Sequence, residues 1–219
     1  MNGWKIRTCV VGMISTNCYL VYRDEAGTGP EETRPGVIID PGDNAAYVEH
    51  QCLQLRIQPQ AILLTHGHFD HLLAAGELRE HFQIPIYAGE AEMGMLRDPD
   101  LNLSPMAGDP VSLTADRWLR NKETVSLLSA DWKVLHTPGH TAGSVCYYIE
   151  EEGLLFSGDT LFYESYGRTD LPTGSSSAII NSLTEVVFAL PEETRVWPGH
   201  GETTRIGHEK KYNPAARFA

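Results

Sequence analysis

The chain has 219 residues and a formal net charge of −12, from 17 Lys and Arg against 29 Asp and Glu. Such a balance repels phosphate backbones and argues against nucleic acid as a partner. No segment approaches 18 apolar residues, and no basic start precedes a long apolar run, so no membrane association is expected and a cytoplasmic setting is. The 42% hydrophobic content suits a globular core, read as one domain over residues 1–219. Cys9, Cys18, Cys52 and Cys146 form no C-x-x-C pair and read as small core residues.

Trp4 to Val11 and Asn17 to Tyr22 carry the β-branched and aromatic residues of two strands. Glu25 to Arg34 reads as an exposed turn. A strand over residues 36–39 runs into Asp40-Pro41-Gly42. Asp40 there is either a turn former or a group that orients a metal ligand. Asp43 or Asn44 caps a helix reaching about Ile57. The apolar run Ala61 to Leu64 fits a strand buried on both faces, and Leu72 to Phe82 has helical spacing. Ile84 to Tyr87 is a strand and Gly89 to Leu96 a short helix. This alternation marks an α/β chain.

Arg97 to Lys122 carries Pro99, Pro105, Gly108 and Pro110 and reads as a long loop, either a surface flap or a substrate lid. Strand candidates follow at residues 125–128, 132–135, 144–149 and 153–156. A helix is expected over Ser177 to Leu190, and a last strand over Thr194 to Trp197.

Between the strand at 61–64 and the next helix lies Thr65-His66-Gly67-His68-Phe69-Asp70-His71. On an extended backbone His66 and His68 project to one side and can reach one cation, while Asp70 and His71 are aimed differently. Two ions, each completed from elsewhere in the chain, make an easier geometry than four ligands from six residues. Three distant turns supply candidates: His140 in Pro138-Gly139-His140, Asp159 in Gly158-Asp159-Thr160, and His200 in Pro198-Gly199-His200. Stiff or small residues beside each let the backbone approach an ion. His50, His81, His136 and His208 lack this context and read as surface or structural.

The order His-x-His-x-Asp-His, then His140, Asp159 and His200, resembles the metallo-β-lactamase superfamily over nearly the whole chain. Gly158 to Phe162 followed by Tyr166-Gly167-Arg168-Thr169-Asp170 resembles its short glyoxalase II-like hydrolases. The resemblance implies an αββα sandwich, two mixed β-sheets flanked by helices. It implies two divalent ions, zinc before iron or manganese. His66, His68 and His140 would hold one, and Asp70, His71 and His200 the other, with Asp159 bridging. It further implies hydrolysis of a small-molecule, hydroxyacylglutathione-like thioester by a metal-bridging hydroxide. Asp70 is the candidate catalytic residue and Arg168 the candidate substrate contact, or else an ion-pair partner of Asp170. A carboxylate at position 159 stands where zinc β-lactamases typically place a softer Cys. The sequence departs from full-length glyoxalase II in carrying only 19 residues after His200, and Gly201-Glu202 where an aromatic residue is frequent. The competing readings are a mononuclear iron, persulfide dioxygenase-like enzyme and a non-catalytic metal-binding regulator.

Overall fold

A computed structural model describes residues 3–24, 29 and 32–219. Strands β1 (Trp4–Val11), β2 (Thr16–Arg23) and β3 (Arg34–Ile39) are followed by helix α1 (Ala45–Gln54) and β4 (Ile57–Leu63). Then come α2 (Phe69–Leu72), α3 (Ala75–Phe82), β5 (Ile86–Gly89), α4 (Met93–Arg97), α5 (Pro99–Asn102) and β6 (Arg117–Leu119). These six strands form one sheet in sequence order, antiparallel across β1–β2–β3 and parallel across β3–β4–β5–β6.

The second half repeats the plan. It runs through β7 (Thr124–Leu127), β8 (Ala130–His136), β9 (Val145–Ile149), β10 (Leu154–Gly158) and the hairpin β11 (Leu161–Phe162) and β12 (Ser165–Tyr166). Helix α6 (Ser176–Asn181), β13 (Arg195–Pro198), β14 (Thr204–Arg205) and α7 (Ile206–Tyr212) complete it. Its sheet has the order β14-β13-β10-β9-β8-β7, with β10 and β13 parallel and the other pairs antiparallel.

The period of two along the strands sorts side chains into separate cores. Tyr19 and Val21 of β2 meet Tyr147 and Ile149 of β9 between the sheets, around buried Trp132 and Phe156. Cys18 and Leu20 face the other way, onto α1 and α3. Cys146 and Tyr148 face α6 and α7. The result is the αββα sandwich. All four cysteines are free and buried, and burial raises each thiol's pKa, with Cys52 pushed up to about 12 and Cys146 to about 11. No helix among the described residues is long and apolar enough to cross a membrane.

Several expected boundaries move. The first helix stops at Gln54, because Arg56 adopts φ +53° and turns the chain straight into β4. The helix expected over 72–82 is two helices. At the break the Ala74 amide donates to the Pro41 carbonyl at 3.0 Å rather than continuing a helical ladder. The stretch 97–122 is not a bare loop but holds α5 and the edge strand β6. Its polar residues tie it down: Asn102 Nδ2 donates to the Val111 carbonyl within the stretch at 2.8 Å, and Asp116 accepts from the Ile86 amide of β5 at 2.9 Å. The helix expected over 177–190 is α6 followed by a π-helical stretch, Ser182–Val187. Most of the turn expected over 25–34 lies outside the described residues, and Arg34 already begins β3.

Candidate metal centre

The β4–α2 turn lies at one edge of the sandwich, where the sheets are tied together. The Val145 amide donates to the Thr65 carbonyl at 2.9 Å, and the Tyr147 hydroxyl to the Leu64 carbonyl at 2.8 Å. From the other side, the Asn17 amide donates to the Gly199 carbonyl at 2.7 Å and the Asn17 side chain to the Pro198 carbonyl at 3.0 Å. These ties bring the β4–α2 turn and the turns after β8, β10 and β13 to one place.

All seven candidate ligands converge there. His66, His68 and His140 present ligand atoms within 4.8 Å of one another; so do His66, His71 and Asp159, and so do Asp70, His71 and His200. The Asp159 carboxylate reaches across these groups. One oxygen lies 3.4 Å from His71 Nε2, the other 3.4 Å from His140 Nε2 and 3.6 Å from His200 Nε2. Close packing permits this only with glycine at some positions. A Cβ at Gly199 would meet Asp159 Oδ1 at 2.1 Å, and one at Gly42 would meet the Asp70 carbonyl at 1.5 Å.

The tautomers decide what the cluster can hold. His140 Nδ1 donates to the Arg168 carbonyl at 2.8 Å, so its Nε2 is a lone pair. That lone pair accepts from His68 Nδ1 at 2.9 Å, which leaves His68 Nε2 as a lone pair. His71 Nδ1 donates to Asp40 Oδ2 at 3.0 Å, so neutral His71 turns a lone pair toward Asp70 Oδ2 at 3.1 Å and Asp159 Oδ1. Acceptors facing acceptors repel unless a cation or a proton sits between them. Among the described residues, His66 Nε2, His68 Nε2, His71 Nε2 and Asp159 Oδ1 are buried without a hydrogen-bond partner. A buried polar group so left is costly. The residues therefore fit bound divalent cations.

Protonation preferences agree. Burial, aided by the neighbouring imidazoles, drives His66 well below its ordinary pKa and His68 down to about 3. Both stay neutral and ligand-competent near pH 7. Burial also opposes ionisation of Asp70 and Asp159, but the imidazoles around them outweigh it and hold both carboxyls low. For His71, burial lowers the pKa, but Asp70, Asp159 and Asp40 prevail and raise it well above normal. That is the response of a nitrogen in a site built for positive charge.

Three further residues support the ligands, and of these the sequence singled out Asp40 alone. Asp40, which the sequence left between turn former and orienting group, accepts from the Thr65 amide at 2.8 Å, the Thr65 hydroxyl at 2.6 Å and His71. Thr16 donates to Asp70 Oδ2 at 2.8 Å. Buried Glu92 accepts from the Gly143 amide at 2.8 Å and from Thr141 Oγ1, and its other oxygen lies against Gly67. It thus braces the turn carrying His66 and His68 against the turn carrying His140. A regular pattern could not reveal Thr16 or Glu92, because each is a single polar side chain on an otherwise ordinary segment. Of the other histidines, His81 faces Glu49 and His208 stacks on Tyr163, both away from the cluster.

Outside the ligands opens a cavity of about 500 Å3, lined by His68, Asp70, His140, Asp159 and His200 and by a largely apolar wall. Arg168 is part of that wall. Its guanidinium is held by Asp170 in a two-toothed ion pair, both contacts 2.7 Å.

Residues 11–200 match the family model of the metallo-beta-lactamase superfamily. The chain belongs to that superfamily. It is 35% identical over 212 residues to a Bacillus subtilis protein named "Probable metallo-hydrolase YqgX", with 96% of each chain covered. It is 33% identical over 201 residues to a protein of Haemophilus influenzae named hydroxyacylglutathione hydrolase GloC, covering 90% of this chain and 91% of that one. Among solved structures, the BLEG-1 B3 metallo-beta-lactamase superposes with a TM-score of 0.87 and 39% identity, covering 96% of this chain and 98% of that one. TTHA1623 in a di-iron-bound form gives 0.80 and 35%, with 95% and 98% covered. Family and ligand cluster together describe a metal-dependent hydrolase of this superfamily.

Proposed function

We propose that this superfamily member is a dinuclear hydrolase that cleaves a thioester, with Asp70 beside the reacting atoms. The observation that carries the reading is the full set of seven ligands in overlapping triads, with Asp159 able to serve both ends. His66, His68 and His140 would hold one ion, and Asp70, His71 and His200 the other. Ions bound there supply a hydroxide at neutral pH and an electrophile for the substrate carbonyl.

The protein's part is positioning. Asp40 fixes His71 and the Arg168 carbonyl fixes His140, so each presents Nε2 to the centre. The Thr16 hydroxyl occupies one direction on Asp70 Oδ2, which orients that carboxylate toward the cavity it lines. Asp70 can then accept a hydrogen bond from the attacking oxygen and hold it in line with the carbonyl. A thiolate leaves with a pKa near ~8.5 and needs no strong proton donor, whereas an amide nitrogen does. Arg168, paired with Asp170 at the wall, is the proposed substrate contact. Zinc is the first choice of metal. The likeness to a di-iron form keeps iron open, and that to a B3 metallo-beta-lactamase makes a β-lactam the second substrate to try.

The test is elemental analysis of protein purified without chelator, followed by thiol release from S-lactoylglutathione and short acyl thioesters, with a chromogenic cephalosporin alongside. About two ions per chain and thioester turnover are expected. Asp70→Asn should lose at least about a hundredfold in kcat, the scale of a positioned acid–base group. One iron per chain with oxygen uptake on a glutathione persulfide, or cephalosporin turnover alone, would overturn the assignment.

A further inference from the structure

The wall of the cavity does not suit the substrate that the motifs suggest. Glutathione carries two carboxylates. Among the described lining residues, Arg168 is the sole Arg or Lys, and Asp170 already occupies its guanidinium with both oxygens. That guanidinium holds the Asp170 carboxyl low, so both partners are ionised at neutral pH and their charges cancel. An anionic limb would find no free cation in this wall.

What the wall offers is apolar surface. Met13 and Ile14, on the β1–β2 turn, are 69% and 48% exposed, and Met106 is 68% exposed. Large apolar side chains so exposed are ordinary singly and informative when they gather. These three come from two distant segments and border one opening. Leu103 and Phe162 line the same cavity, and the Phe162 ring lies edge-on to His200 with centroids 6.0 Å apart.

Leu103 adds an independent observation. It adopts φ +64° and ψ 17° between α5 and the following 3-10 turn. Left-handed geometry is one that Gly or Asn fills at little cost and a leucine does not. Among the described non-glycine residues with positive φ, Leu103 alone lines this cavity. The side chain that this backbone carries lines the cavity.

We infer that the substrate is a thioester with an uncharged apolar limb of roughly four or more carbons beside the carbonyl, received by Met13, Ile14, Leu103 and Met106. This inference rests on the thioester hydrolase reading above. With the carbonyl over His68 and Asp70, a neighbouring hydrocarbon limb runs out along this wall. The Arg168–Asp170 pair then faces neutral polar groups such as an amide, donating from one partner and accepting at the other.

The test compares kcat/KM of the metal-loaded protein on four thioesters. They are acetyl- and hexanoyl-N-acetylcysteamine, the acetyl thioester of hexanethiol, and hexanoylglutathione. At least one six-carbon neutral substrate should exceed acetyl-N-acetylcysteamine by about tenfold or more, as the burial of several methylenes implies. Hexanoyl-N-acetylcysteamine should exceed hexanoylglutathione by a similar factor. Leu103→Gly and Met106→Ser should each cut the ratio of six-carbon to acetyl turnover by about threefold or more. Leu103→Gly should do so without lowering the melting temperature, since it relieves the left-handed strain; a leucine kept only for packing would show the reverse. Ratios near one, or preference for the glutathione conjugate, would overturn this inference and leave the hydrolase standing. No turnover of any of the four by protein holding two ions would overturn the hydrolase reading itself.

Discussion

Asp40 is the residue on which the centre's geometry turns. Its two carboxylate oxygens accept three hydrogen bonds, two from Thr65 and one from His71. An amide in its place would aim two N–H donors into a shell made of donors. Asp40→Asn should therefore turn or retautomerise His71 and weaken metal binding by about 10- to 100-fold. Competition with a chromophoric chelator would read this directly, and unchanged affinity would remove Asp40 from the centre. At this scale the ligands were the most legible part of the sequence. His66, His68, Asp70 and His71 are crowded into six residues, and His140, Asp159 and His200 each follow a small residue in a turn. Of their supports only Asp40 was legible, as one of two readings. Thr16 and Glu92 become meaningful only when folding brings them against residues 54 and 51 positions away.

Between elements, Glu92 plays a corresponding part. It belongs to the 3-10 turn Glu90–Glu92 that leads into α4, and it is 1% exposed. Burial pushes its pKa up, while the Thr141 hydroxyl and the Gly143 amide pull against that rise. Glu92→Ala would leave the Gly143 amide buried without an acceptor, strip the Thr141 hydroxyl of one of its two partners and open a void behind Gly67. A loss of about 2–4 kcal/mol of stability is expected from chemical denaturation of the metal-free protein. Loss under 1 kcal/mol would mean that the two turns hold their positions unaided. The same segment shows why element boundaries escaped sequence reasoning. Pro, Gly, Asn and Asp over 97–122 are ordinary loop markers, yet Asn102 and Asp116 use their side chains to anchor α5 and an edge strand. The strand at 61–64 was legible because Ala61, Ile62 and Leu63 are buried on both faces, an environment that selects an unbroken apolar run.

For the whole molecule, the sandwich follows from period-two strands whose opposite faces feed different cores. Cations that bind only the folded chain stabilise it by mass action, by about 4 kcal/mol at a thousand times Kd. For a chain of this size that is a shift of roughly 8–16 °C. Chelation should lower the melting temperature on that scale, and zinc or iron should restore it. A shift below about 2 °C would show that the ligand cluster does not bind metal strongly in the folded state.

Each candidate triad takes two ligands from the half of the chain before β7 and one from the half after it. Neither half can assemble three ligands by these groupings, so ion capture and the meeting of the two halves become one equilibrium. The first half could hold an ion loosely by two donors while the second is still folding. Closure would then arrive with the third donor. The centre would thus act as a clasp whose tightness reports whether the halves have joined. A chain cut in the β6–β7 connection should reassociate far more readily when the metal is supplied than when it is withheld.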